Sequence, residues 1–182
     1  KEKVMYTRHY FVSYPDNVFA GKIECENKLK GDEEKVPEDA TFCAAVYIVP
    51  EQTGGIIKAE GNTLTLEGTV AANKGLDGEP GPDRNSMKYA AAISFFSDSG
   101  EIYARDGKIH LKDVKSFTFI VSLATDYVND FPRFSDGSDP LQKALDTVSK
   151  AGKKTFSELY KAHLKDYQAL FGRVKFNLGE EE

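Results

Sequence analysis

The chain has 182 residues, 40% hydrophobic and 29% charged, with a net charge of −5. That size suits one domain, and the composition is ordinary globular usage that excludes wholesale disorder. Lys and Arg are dispersed in an acidic chain, so no basic footprint for nucleic acid exists, and no apolar run approaches the ~20 residues that cross a bilayer.

From Val4 to about Leu123 short β-branched and aromatic runs alternate with turn chemistry, which predicts an all-β arrangement. The strands fall at Met5 to Ser13, Val18 to Glu26, Thr41 to Val49, Gly55 to Glu60, Thr63 to Val70, Lys88 to Ser97, Glu101 to Arg105, Lys108 to Leu111 and Ser116 to Ala124. Gly61-Asn62, Asp98-Ser-Gly100 and Asp106-Gly107 are compact enough to reverse the chain as hairpins, which predicts mainly antiparallel sheets. Thr63-Leu-Thr-Leu-Glu puts its leucines on one face, as a half-buried strand does. Phe117-Thr-Phe-Ile-Val-Ser-Leu has an almost continuous apolar centre and suits a strand covered on both sides in mid-sheet. Lys28 to Asp39 is charged and Lys74 to Asn85 is rich in Gly and Pro, so both read as surface loops. Cys25 and Cys43 lack metal-ligand spacing and are too few for a disulfide framework; two free thiols are expected.

After Pro132 the period changes. Asp139-Pro140 is an N-cap followed by proline at the first helical position, Leu141, Ala144, Leu145 and Val148 form a stripe, and Gly152 ends it. Thr155-Phe-Ser-Glu158 is a capping box that opens a second helix, whose stripe runs through Leu159, His163, Tyr167, Leu170, Phe171 and Val174. Val174 to Leu178 alternates like a strand. The two stripes expose more apolar surface than the helices can cover between themselves, so they are expected to dock on the sandwich. Self-association through any surface left over is expected as well.

The stretch from Thr155 through His163, Asp166, Phe171 and Arg173 to Gly179 resembles the linker of glycoside hydrolase family 95, the α-L-fucosidases. Two upstream stretches resemble the same family in the same order. They are Tyr6 to Val18, and Met87-Lys-Tyr-Ala-Ala followed by Ala124-Thr-Asp-Tyr-Val-Asn-Asp130-Phe-Pro132. The resemblance implies the later part of an N-terminal antiparallel β-sandwich, residues 1–132, followed by a two-helix linker and terminal strand, residues 133–182. It implies a piece of an enzyme, with further sandwich strands before this segment and a catalytic helical barrel after it. The parent would hydrolyse α-L-fucosyl linkages of fucosylated glycans with inversion and without a cofactor, the barrel supplying acid and base. No residue here matches a family catalytic motif. The resemblance favours an extracellular or periplasmic setting; the first residues themselves do not read as a signal peptide.

A glycosidase needs paired carboxylates, one to protonate the leaving oxygen and one to activate water or attack. Asp126 and Asp130 flank an aromatic loop in which a sugar could stack on Tyr127 or Phe131 and hydrogen-bond Asn129. The preferred reading is that Asp126 and Asn129 tighten the turn that leads to the helices. Asp126, Tyr127 and Asn129 thus stand as a candidate carbohydrate contact, with no catalytic residue and no metal assigned. Asp77 to Asn85 has oxygen ligands for a hard cation but not EF-hand spacing, and reads first as a stiffened loop. His163 is expected to pack and hydrogen-bond across the linker. His9 reads as an outward polar residue alternating with inward aromatics Tyr6 and Tyr10, and His110 as outward between Ile109 and Leu111. The alternatives of another class are a stand-alone carbohydrate-binding sandwich and a purely adhesive scaffold, since fold alone does not decide function.

Overall fold

The computed structural model describes residues 3–28, 40–50, 54–70, 87–130, 134–176 and 179. In chain order the strands are β1 (Lys3–Ser13), β2 (Val18–Lys28), β3 (Phe42–Val46), β4 (Ile56–Glu60), β5 (Thr63–Thr69), β6 (Lys88–Phe96), β7 (Glu101–Arg105), β8 (Lys108–Val114) and β9 (Ser116–Thr125), followed by helices α1 (Pro140–Ala151) and α2 (Phe156–Phe171). All strand pairings are antiparallel. One sheet has six strands in the order β1-β2-β9-β6-β5-β4, and the other has three in the order β3-β8-β7.

The mid-sheet position of β9 follows from its sequence. Phe117 and Phe119 join the core between the two sheets, with Leu64, Phe95, Ile109, Leu111 and Val114. Ile120 and Ala124 belong to the core on the opposite face, with Phe11, Val18, Ala20, Ala92, Ala144, Val148, Ala151 and Leu159. Side chains alternate across a strand, so a run apolar at both parities must be covered twice. The helices cover one face of the six-stranded sheet and the three-stranded sheet covers the other. Leu64, Ile109, Leu111, Ile120 and Leu159 are all fully buried. Each stabilises the fold by about 1.5–3 kcal/mol before the entropy of ordering is counted.

Both helices form for the reasons written in their first residues. Asp139 has an extended backbone and its side chain accepts from the amides of Leu141 and Gln142, while proline opens the helix where no amide donor is needed. Thr155 and Glu158 complete the capping box in both directions. The Thr155 amide and hydroxyl donate to the Glu158 carboxylate and hold it below its usual pKa. α1 lies across β6 and β9, whereas α2 meets β1 and, to a smaller extent, β2.

Two expectations change and one is refined. Gly61-Asn62 and Asp106-Gly107 do turn hairpins, β4 to β5 and β7 to β8, but Asp98-Ser-Gly100 carries the chain from the six-stranded sheet into the three-stranded one. Gly100 has φ +67°, and a Cβ there would lie 2.3 Å from the Lys112 carbonyl oxygen, so the crossover needs glycine for space as well as conformation. His9 is exposed, as expected, although it shares a face with buried Phe11 and its ring lies 6.5 Å from Phe156 of α2; Tyr6 and Tyr10 meet Phe42 and Phe119 on the side of the other sheet yet stay half exposed. β1 is an edge strand, and α2 decides which of its faces is sealed. Finally, Val174 to Phe176 are exposed and form no strand, because alternation makes a strand only where an unpaired edge lies opposite. Asn177 and Leu178 lie outside the described residues, as do the charged loop at 29–39 and the Gly/Pro-rich segment at 74–85.

Leu159→Asp places an unpaired carboxylate in a sealed site and should cost more than about 3 kcal/mol. The expected outcome is detachment of α2 with the β-rich part intact, read as lost helical but retained strand signal in circular dichroism. A single cooperative loss of all structure would contradict this.

Candidate functional site

The segment leaving β9 doubles back on itself before α1 begins. Tyr127 and Ser135 form an antiparallel bridge. The Val128 amide donates to the Phe134 carbonyl at 3.2 Å, and the Phe134 amide to the Asp130 carbonyl at 3.0 Å. Phe134 takes a left-handed backbone, φ 53°, which closes the reversal. Its ring stacks on Tyr127 with centroids 6.5 Å apart and planes 4° from parallel.

Asp126 is the hub of this loop. It is 3% exposed. One carboxylate oxygen accepts from the Lys88 amide at 2.8 Å and the other from the Ser135 hydroxyl at 2.9 Å. Its own carbonyl accepts from the Asp136 amide at 2.9 Å. The side chain therefore ties the start of β6, the end of β9 and the approach to α1 together. Both oxygens are spent inside the protein, and general acid or base work at a ligand has no access to them.

Tyr127 and Asn129 point the other way. Tyr127 is 51% exposed and Asn129 is exposed. The structure thus brings Tyr127 and Asn129 to one rim and places Asp126 beneath them; Asp130 is exposed beside them, and Phe131 lies outside the described residues. On its far side the loop backs onto a cleft of about 600 Å³, walled by Glu67, Lys88 and Tyr89 and by Gly137 to Leu141. Tyr127 and Asn129 do not line it. Asp136 anchors that wall: the Ser138 hydroxyl and the Lys143 ammonium hold its carboxyl far below the usual carboxylate range.

The remaining sequence candidates resolve locally. His163 stacks on Phe11 at 5.1 Å and 23°, and among the described residues it has no hydrogen-bond partner. The expected bond across the linker is replaced by ring packing. His110 lies on the face of its sheet opposite Ile109 and Leu111, as expected, but it is half-buried: it stacks on Tyr103 at 5.2 Å, and its Nε2 is buried without a hydrogen-bond partner among the described residues. Both cysteines are free thiols. Cys25 is buried, donates to the Ala40 carbonyl at 3.2 Å, and has its pKa pushed up by burial. Cys43 sits on β3 at a register shift, in the other sheet, and the Asp113 amide donates to its sulfur at 3.5 Å. Among the described residues no group of three His, Cys, Asp or Glu converges to hold a metal, and no helix is long and apolar enough to cross a membrane. The cation-like cluster Asp77 to Asn85 lies outside the described residues.

A groove at the opposite end of β9, between β1, β2 and the start of α2, was missed by sequence reasoning. Its residues come from β1, β2, β6, β9, the start of α2 and the connection before it, most of them distant in sequence. Only the alternation that sends Lys22 and Glu24 to the same face of β2 could have hinted at it.

The architecture defines a class: an antiparallel sandwich with a helical cover. The sequence matches glycosyl hydrolase family 65, N-terminal domain, over residues 1–130, and the chain belongs to that family. Its number differs from the family 95 of the motif resemblance, but the relatives carry fucosidase names. The chain is 24% identical to alpha-L-fucosidase 2 of Arabidopsis thaliana over 184 residues, covering 96% of the chain and 21% of that protein. It is 26% identical to probable alpha-fucosidase A of Aspergillus niger, covering 94% of the chain and 20% of that protein. The chain thus spans about one fifth of each relative.

Replacing Asp126 by Ala leaves the Lys88 amide and the Ser135 hydroxyl without their acceptor in a closed site. The expected cost is about 2–4 kcal/mol, and Asn129→Ala should cost less than about 0.5 kcal/mol. Urea denaturation of the two variants checks the contrast.

Proposed function

We propose that this chain is the non-catalytic N-terminal part of an α-L-fucosidase acting on fucosylated glycans, bracing a catalytic helical barrel of the same polypeptide. The observation that carries this reading is the combination of family and relatives: a glycosyl hydrolase N-terminal domain similar to two proteins that both carry fucosidase names. The sandwich at 1–132 and the linker at 133–182 would be its functional divisions. Three features of the molecule support it. The one buried carboxylate of the candidate loop is consumed by structural bonds. The exposed rim of Tyr127 and Asn129 suits contact with a glycan at the edge of a neighbouring site, with Asp126 holding the rim in place. Beyond Leu159 the stripe of α2 is uncovered: Tyr167, Leu170 and Phe171 are exposed, the last at 69%. That surface is apolar enough to seat a further domain.

The purified chain is expected to show no turnover of an aryl α-L-fucoside or a fucosylated oligosaccharide; reproducible release of fucose above a mock preparation would overturn the non-catalytic assignment. The uncovered α2 stripe also implies concentration-dependent self-association of the isolated chain. Light scattering should show an apparent mass that rises with concentration and falls back in Phe171→Asp, whose stability should stay within about 0.5 kcal/mol of the parent because the site is exposed.

A further inference from the structure

We propose that the groove between the start of α2 and the face of β1, β2 and β9 is a binding site for a neutral saccharide. Two hollows of about 470 and 450 Å³ adjoin there, sharing Lys22, Phe156 and Ser157 in their walls. Either is within the size range of small-ligand sites, and together they form a channel rather than a point. The floor is sheet, with His9, Lys22, Glu24 and Thr118, and the wall is helix, with Phe156 and Tyr160.

The charges select the ligand class. Lys22 is paired with Glu24 at 2.6 Å, and Lys154 with Asp16. Lys153 and Asp98, the other charged residues lining the groove, balance each other. No net charge remains to reward an ionic ligand. An anion is further disfavoured because the N-terminus of α2, the usual anion seat, is already filled by the Thr155 hydroxyl and the Glu158 carboxylate. What remains is hydrogen-bonding capacity beside an aromatic wall. The polar side-chain atoms of His9, Thr118, Ser157 and Tyr160 have no protein partner among the described residues. Imidazole and hydroxyl groups donate and accept, which matches the hydroxyls of a sugar, and the paired Lys22 and Glu24 keep spare donor and acceptor positions. Tyr160 is 45% exposed and, with Phe156, offers the apolar surface that a pyranose ring covers. The groove lies toward the Ser116 end of β9, and the Tyr127 rim beyond its Thr125 end. Thr118 and Asp126 are eight residues apart on the extended chain, or about 26 Å at ~3.3 Å per residue. The two places are therefore separate, and the inference holds whether or not the chain serves a fucosidase.

Amide chemical-shift mapping of the whole chain tests it, with methyl α-L-fucoside, lactose, cellobiose and maltotriose as probes and inorganic phosphate as the ionic comparison. The expected result is saturable shifts at Lys22, Glu24, Thr118 and Ser157 with at least one sugar, at a dissociation constant on the order of 1 mM. Tyr160→Ala and Glu24→Gln should each weaken binding about fivefold or more, with circular dichroism unchanged, while Tyr47→Ala on the outer sheet should leave it unaltered. Saturation by a sugar other than the fucoside supports the groove and counts against fucose as its ligand. Absence of saturation with every sugar, shifts centred on Tyr127 and Asn129, or tighter binding of phosphate in the groove would overturn the proposal.

Discussion

The fold depends on the double-sided burial of β9. Phe117 and Phe119 enter one core and Ile120 and Ala124 the other, so the six-stranded sheet cannot be stable with one face open to water. β6 beside it shares the demand, sending Ile93 and Phe95 toward the smaller sheet and Ala92 and Phe96 toward the helices. The small residues of β6 on the helix side bring α1 close, and Ala144, Val148 and Ala151 of α1 are buried against that face. In this chain the helices complete a core that the strands leave half built.

That requirement explains the care with which the chain is led from β9 to α1. Between Asp126 and the start of α1, Asp126, Asp136 and Asp139 each take a structural role: one ties three elements, one grips Ser138 and Lys143, and one caps the helix. Asp126, one of the two carboxylates weighed for acid–base chemistry, is spent on positioning. The rim of Tyr127 and Asn129 and the start of α1 are held in place by these bonds.

Coverage of the large sheet is incomplete. The three-stranded sheet seals Phe95, Phe117 and Leu64, yet Tyr10, Val12, Phe19 and Leu123 on the same face of the large sheet remain exposed, Leu123 at 71%. On the other side α2 covers Phe11 through Phe156, Tyr160 and His163 and then runs on with its stripe uncovered. The interfaces of β-sandwiches and of helical linkers are built from surfaces of this composition, apolar at the centre with polar margins.

The strands, their order in the chain, the two-sided burial of β9, both helix starts and the mostly structural role of Asp126 were legible in the residues. Each rests on local chemistry: alternation of side chains, hydroxyl or carboxylate caps, and glycine where the backbone turns. The tertiary structure alone decided which strands share a sheet, so that the bend at Asp98 to Gly100 became a crossing between sheets instead of a hairpin. It also chose which face of β1 is sealed, burying Phe11 while His9 beside it stays exposed and Tyr6 and Tyr10 lie at the margin, and it left the alternation of Val174 to Phe176 without an edge to join. The groove around Lys22 and Tyr160 belongs to the same category. The period of two in a strand tells which residues face together; which face meets the core depends on what packs there, and that is decided by contacts between residues more than a hundred positions apart.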